Sequence, residues 1–323
     1  MCSLYHISAV FSTDLVKFFL DFIYRLEYIL SIKYFEVIFM KSSVSSYSFQ
    51  KLINAGLDTQ FTVIAKAKEY GFDGIEFTDL AVPEGKTEIE YAKEIKAEAE
   101  RVGIAITGYS VGADLLGGCD GDLDKEIERL KRKVDAAEAL GAPIMRHDIT
   151  FKAPDGYEGY KNLIPRFVRA VRAVTDYAEE KGIRTCTENH GFFSQDSERV
   201  VALVNAAERN NFGLQVDMGN FLCVDEDPAL AVGRCAPYAF NAHVKDFIFK
   251  PGTEDVPGDG FIHTRAGNYI RGTIAGHGVV PIRQCVKALK RVGYDGYLTL
   301  EFEGLEDCEY SIKAGLKYIN SLI

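Results

Sequence analysis

TCTENHG, residues 185–191, sets the pattern of the whole chain: a short β-prone run delivers one carboxylate, Glu188, and then breaks into Asn189 and Gly191. Three later segments repeat it. LQVDMGN (214–220) ends on Asp217, FNAHVKD (240–246) on His243, and YLTLEFEG (297–304) on Glu301. In a parallel α/β architecture such residues gather at the carboxyl ends of the strands, the edge where active sites are built. Two Glu, one Asp and one His offer three hard oxygens and one borderline nitrogen. That donor set suits one divalent ion, Mn²⁺ first, with Mg²⁺ or Co²⁺ as alternatives, and lacks the thiolates of a structural zinc site.

Working outward, short strand signals alternate with helical ones from Met40 onward. The helix-like segments EAERV, AEEK and ERNN give way to Gly103-Ile104, Gly182-Ile183 and Phe212-Gly213, each read as a glycine stop before an apolar strand. GFDGIEF (71–77) is echoed by GYDGYLTLEF (293–302), one helix-to-strand turn used twice. The predicted strands are 42–48, 74–78, 105–110, 143–147, 184–188, 214–217, 239–244 and 297–301. Eight strands with helices between, over about 280 residues, fit a single-domain α/β fold, the (β/α)₈ TIM barrel, spanning 40–323. A doubly wound sheet would want a Gly-rich nucleotide turn after its first strand, and VSSYSF (44–49) supplies none. The stretch 247–280, rich in glycine, is too long for a plain link and is expected to fold over the site as a lid or substrate loop.

Composition narrows the function. A 323-residue chain that is 47% hydrophobic has ample core for such a fold. Its net charge of −10 argues against nucleic acid, because phosphate binding needs a basic face that releases counterions. Seven scattered cysteines without a CxxC pair suit free thiols in a reducing, cytoplasmic setting. Residues 1–39 are aromatic and apolar, yet Asp14, Lys17, Asp21, Arg25 and Glu27 interrupt them. No run approaches the roughly 18–20 apolar residues of a spanning helix, so no membrane partner is expected. MKSSVSSYSF (40–49) reads as a natural start, which makes 1–39 an N-terminal extension of the gene model; the alternative is an amphipathic helix covering one end of the domain.

With ENHG, VDMGN, HVKD and LEFEG in this order on the last four barrel strands, the chain resembles the xylose isomerase-like TIM-barrel superfamily of sugar isomerases and epimerases. The resemblance covers most of 40–323 and not 1–39. It implies one divalent metal on Glu188, Asp217, His243 and Glu301, with Zn²⁺ a further alternative, and it implies that Glu188 and Glu301 double as the acid/base pair. The implied chemistry is proton transfer through a metal-stabilised enediolate on a keto-sugar or related polyol, in carbohydrate metabolism. A metal can act as the electrophile and carboxylates as the bases. The same four ligands also allow a lyase of the superfamily: a keto-inositol dehydratase, or a C-glycoside deglycosidase alpha subunit with a small partner subunit. A non-catalytic sugar-binding or scaffold barrel would predict a damaged ligand set, and all four residues are present. A repair endonuclease resembling endonuclease IV would need three metals and more His ligands than six His residues supply. A homo-oligomer is common among proteins of this kind.

Other residues have candidate roles beside bland ones. PIMRHD (143–148) ends the fourth strand in Arg146 and His147, which alternate faces, so that only one points into the barrel. His147 is a candidate substrate contact or proton donor. His190 is a candidate hydroxyl contact. Many family members carry a second His three residues after the strand-six Asp, where this chain has Asn220, and that departure puts the usual substrate contact in question. Lys245 either polarises a substrate oxygen or forms a rim salt bridge with Asp246. Arg271, in the long connection, is a candidate reader of phosphate or carboxylate. Glu303 competes with Glu301 as ligand. Glu301 is preferred because the matching family position directly follows the strand, which leaves Glu303 for a substrate hydroxyl.

Overall fold

Helices and strands alternate because the sequence punctuates itself. Thr87 opens the helix Glu88–Val102 reciprocally: its hydroxyl accepts from the Glu90 N–H, and the Glu90 carboxylate accepts from the Thr87 N–H. The same helix stops where Gly103 turns left-handed at φ 71°. A residue with a Cβ would pay roughly 1–2 kcal/mol there.

The computed structural model describes residues 40–151 and 159–323, so the expected extension 1–39 lies outside the described residues. The barrel strands are β1 (Lys41–Ser45), β2 (Gly74–Thr78), β3 (Ala105–Val111), β4 (Ile144–His147), β5 (Arg184–Glu188), β6 (Phe212–Asp217) and β7 (Ala239–Val244). After them come β8 (Asp246–Lys250), β9 (Ile262–His263), β10 (Tyr269–Thr273) and finally β11 (Tyr297–Leu300). Strands β1–β7 and β11 close in the order β1-β11-β7-β6-β5-β4-β3-β2, with every pairing parallel. This is the expected (β/α)₈ barrel. Helices pack outside it: Tyr160–Glu179 buries Leu163, Phe167, Val171 and Val174 on one face. Truncating a buried Phe of this kind costs about 3–5 kcal/mol.

Three expectations need correction. The first strand stops at Ser45 rather than Ser48, because the Ser45 hydroxyl accepts from the Tyr47 N–H and Ser46–Phe49 winds into a 3-10 turn. Gly213 is no helix stop. It lies inside β6, where a Cβ would come within 2.7 Å of the Tyr238 carbonyl oxygen, and the preceding helix ends instead at left-handed Glu208. The long connection between the last two barrel strands, expected as a lid or substrate loop over the site, instead folds as a three-stranded antiparallel sheet of β8, β10 and β9, an arm continuing from β7, and none of residues 247–280 lines the pocket at Glu188, His243 and Glu301. No helix among the described residues is long and apolar enough to cross a membrane. The six described cysteines are free thiols, and Cys2 lies outside the described residues.

Candidate metal centre and active site

Side chains alternate along a strand, so every second residue of β6 and β7 enters the barrel. Gln215 and Asn241 form a polar floor. Asn241 Nδ2 donates to Gln215 Oε1 (3.0 Å) and to Glu76 Oε2 (2.7 Å), and Gln215 Nε2 donates to Glu188 Oε2 (3.1 Å). One residue pair higher, Asp217 and His243 meet Glu188 from β5 and Glu301 from the end of β11.

His243 Nδ1 stands 3.9 Å from Glu188 Oε1, 3.8 Å from Asp217 Oδ2 and 3.5 Å from Glu301 Oε2. One donor atom from each of the four residues lies within 4.8 Å of all the others. Such spacing suits a common ion at about 2.0–2.6 Å from each donor. Asp217 Oδ2 and His243 Nδ1 are also buried with no hydrogen-bond partner. An unsatisfied buried group costs about 1–3 kcal/mol, which a cation between them would relieve. The remaining atoms of these ligands are held in place. Asp217 Oδ1 accepts from the Gly219 and Asn220 N–H groups, and His243 Nε2 faces both oxygens of Glu76. The donor set therefore fits a divalent metal.

Charge is balanced locally by Lys245, whose Nζ lies 2.5 Å from Glu301 Oε2, 3.4 Å from Asp217 Oδ2 and 3.5 Å from Glu303 Oε2. Burial works against ionisation of Glu301, yet Lys245 and His243 hold its carboxyl well below the usual carboxylate range. Asp217 moves the other way: burial, reinforced by repulsion from Glu188 and Glu301, pushes it up to about 6 against the pull of Lys245.

The cage opens into a cavity of about 400 Å³ lined by Tyr47, Asp79, Arg146, Glu188, His190, His243, Lys245, Glu301 and Glu303, among others. Arg146 is the member of its pair that points inward, and its guanidinium meets Glu188 Oε2 at 2.6 Å. The proton-donor expectation for His147 is corrected. Alternation turns it outward, where it is fully buried against Phe212 with Nδ1 on the Asp148 carbonyl oxygen. Asn220 is consumed inside the site, with Nδ2 donating to Glu188 Oε1 (3.0 Å) and Oδ1 accepting from Lys245 (3.2 Å). Lys245 does not bridge to Asp246, whose carboxylate accepts backbone N–H groups. Arg271 lies on β10 of the arm, 3.5 Å from Glu306 and over the Phe261 ring, and is not part of the cavity lining. Glu76 and Asp148 were not singled out from the sequence. The available signal for Glu76 was a lone carboxylate between Ile75 and Phe77 in a strand otherwise suited to burial.

A family model described as xylose isomerase-like TIM barrel matches residues 64–322. The chain belongs to the xylose isomerase-like TIM barrel family. An inosose dehydratase of Clostridium perfringens is similar to this family member, 29% identical over 147 residues, which are 44% of this chain and 49% of the relative. The chain thus spans about half the length of the curated relatives it matches. Two solved structures share the xylose isomerase-like fold. D-allulose 3-epimerase from Methylomonas sp. aligns with TM-score 0.65 and 18% identity over 88% of this chain and 99% of that one. A xylose isomerase-like TIM barrel protein from Mycobacterium smegmatis in complex with magnesium aligns with TM-score 0.64 and 18% identity over 88% and 96%.

Proposed function

We propose that this chain is a divalent-metal-dependent isomerase or epimerase that moves a proton at a carbon next to a carbonyl in a keto-sugar or related polyol. The observation that carries this reading is the cage itself: four donor atoms within 4.8 Å, two of them buried without hydrogen-bond partners. When bound by Glu188, Asp217, His243 and Glu301, a divalent ion would supply Lewis-acid polarisation of carbonyl and hydroxyl oxygens. Three oxygens and one nitrogen favour Mn²⁺, with Mg²⁺, Co²⁺ or Zn²⁺ as alternatives.

The chain's own groups supply the rest. Glu188 and Glu301 enter from β5 and from the end of β11 and are the two carboxylates able to take and return a carbon-bound proton. Each is kept in place by cations and amides: Glu188 by Arg146, Gln215 and Asn220, and Glu301 by Lys245. Glu303, His190 and Lys245 line the same cavity and serve as contacts for further substrate oxygens. The long-arm Arg271, engaged with Glu306, is left out of substrate reading.

The inosose dehydratase relative favours a second reading, elimination of water from a keto-polyol. The same carboxylate would take the carbon-bound proton and return it to the hydroxyl that leaves the neighbouring carbon as water. The test is incubation of the Mn²⁺-loaded protein in D₂O with ketoses and keto-inositols. Deuterium incorporation with retained hydroxyls supports the isomerase reading, whereas loss of a hydroxyl supports the dehydratase. Glu188→Gln and Glu301→Gln should each slow exchange by about 10²–10⁴-fold; exchange that persists in both variants rejects the proton-transfer roles.

A further inference from the structure

The loops after β4 and β5 are pressed against each other. Gly191 sits at φ 84°, and a Cβ there would stand 2.5 Å from the Thr150 carbonyl oxygen, so only glycine permits the contact. That approach brings Asp148 against His190, with Oδ1 at 2.9 Å from Nδ1, and sets the Phe151 ring edge-on to the imidazole at 5.3 Å. Asp148 is buried and gripped by both terminal nitrogens of Arg146, at 2.7 and 3.0 Å. The same guanidinium holds Glu188.

Arg146 also passes 3.1 Å from His190 Nδ1. A guanidinium only donates and a carboxylate only accepts, so Nδ1 cannot satisfy both. A lone pair on Nδ1 would face the Asp148 oxygen at 2.9 Å, so Nδ1 carries a proton and donates it in a hydrogen bond to Asp148 Oδ1. His190 helps to line the cavity and its hydrogen-bond contacts with described residues are at Nδ1, so Nε2 is the nitrogen left for a ligand.

We propose that Asp148 is a positioning residue: braced by Arg146, it locks His190 so that Nε2 meets a substrate hydroxyl beyond the oxygens gripped at the metal cage. One guanidinium then sets both the ligand Glu188 and this outer contact, which fixes the distance between the reacting carbon and the hydroxyl being read. The inference rests on the polyol reading given above.

The test is steady-state kinetics of the Mn²⁺-loaded full chain with D-fructose, D-allulose and an inosose, using whichever gives the highest kcat/KM. His190→Phe keeps the ring but removes the hydrogen bond and should raise KM about tenfold while kcat stays within about threefold. His190→Gln should recover part of the loss. Asp148→Asn, which keeps the shape of the side chain, should raise KM and add no further rise in KM when combined with His190→Phe, any effect through Arg146 on Glu188 being read in kcat. If Asp148→Asn does not fold, the comparison of His190→Phe with His190→Gln still decides the contact. An unchanged KM in His190→Phe, or Asp148 and His190 effects on KM that multiply, overturns the inference while leaving the polyol reading intact. A wild-type protein that turns over none of the panel rejects the polyol reading and this inference together.

Discussion

Glu76 on β2 and His243 on β7 are separated by β1 and β11 in the closed sheet, yet both oxygens of Glu76 lie within hydrogen-bond reach of His243 Nε2, at 3.0 and 3.1 Å. The contact commits Nε2 and turns Nδ1 toward Glu188, Asp217 and Glu301. A carboxylate behind a ligating imidazole fixes its tautomer and raises its basicity. Glu76→Gln should therefore lower Mn²⁺ affinity by about 10–100-fold with the fold retained, as read by calorimetric titration. Unchanged affinity would assign Glu76 to the polar floor alone.

Metal removal should be visible without any substrate. A ligand that binds only the folded state stabilises it by about 2.7 kcal/mol at a hundred times its Kd. Thermal melts with excess Mn²⁺ should lie above melts in EDTA, and His243→Ala should abolish the difference. Superimposable melts of the wild-type protein would contradict the cage.

His147 gives a stability effect of known sign. Its burial pushes the imidazole pKa below the ordinary value, against the raising pull of Asp148. The folded state keeps the ring neutral while the unfolded chain protonates near pH 6.5. The contribution is thus fully present above that pH and is lost as the pH falls toward the lower folded value. His147→Leu should lose stability less steeply than wild type between about pH 6.5 and 5 in urea titrations. Parallel pH profiles would show that His147 is not held neutral.

Asp246 accepts four backbone N–H groups, from Phe247, Gly276, Gly278 and Val280, at 2.9–3.0 Å. Asp246→Asn replaces one accepting oxygen by a donor and sets it against two N–H groups. The expected cost is about 2 kcal/mol, measured by denaturant unfolding, with faster amide exchange at 276–280. Unaltered exchange there would show that the carboxylate is not the fastening point.

The barrel was legible because its strands announce their ends. β5 and β7 have the predicted bounds, and the four ligands fall within a residue of the carboxyl ends of their four strands. Glu76 escaped because it lies mid-strand and its partner is 167 positions away in sequence, a contact that only barrel closure creates. The Arg146/His147 choice was open for a related reason. Alternation says that the two diverge, but the direction depends on how β4 is rolled between β3 and β5. The arm was hidden because β9 is two residues long and owes its existence to Tyr269 and Ile270 across from it. Such pairing leaves no periodic trace in a glycine-rich segment.

The clasp at Asp246 also decides where the arm can bend. The strand that carries His243 leads through Lys245 into the arm, and one carboxylate ties that outgoing stem to the returning stem at 276–280. Beyond that tie the chain turns through Gly258 and Gly260, both at positive φ, where glycine has no Cβ to clash. The arm therefore projects from a fixed root, and none of residues 246–280 lines the cavity beside His243.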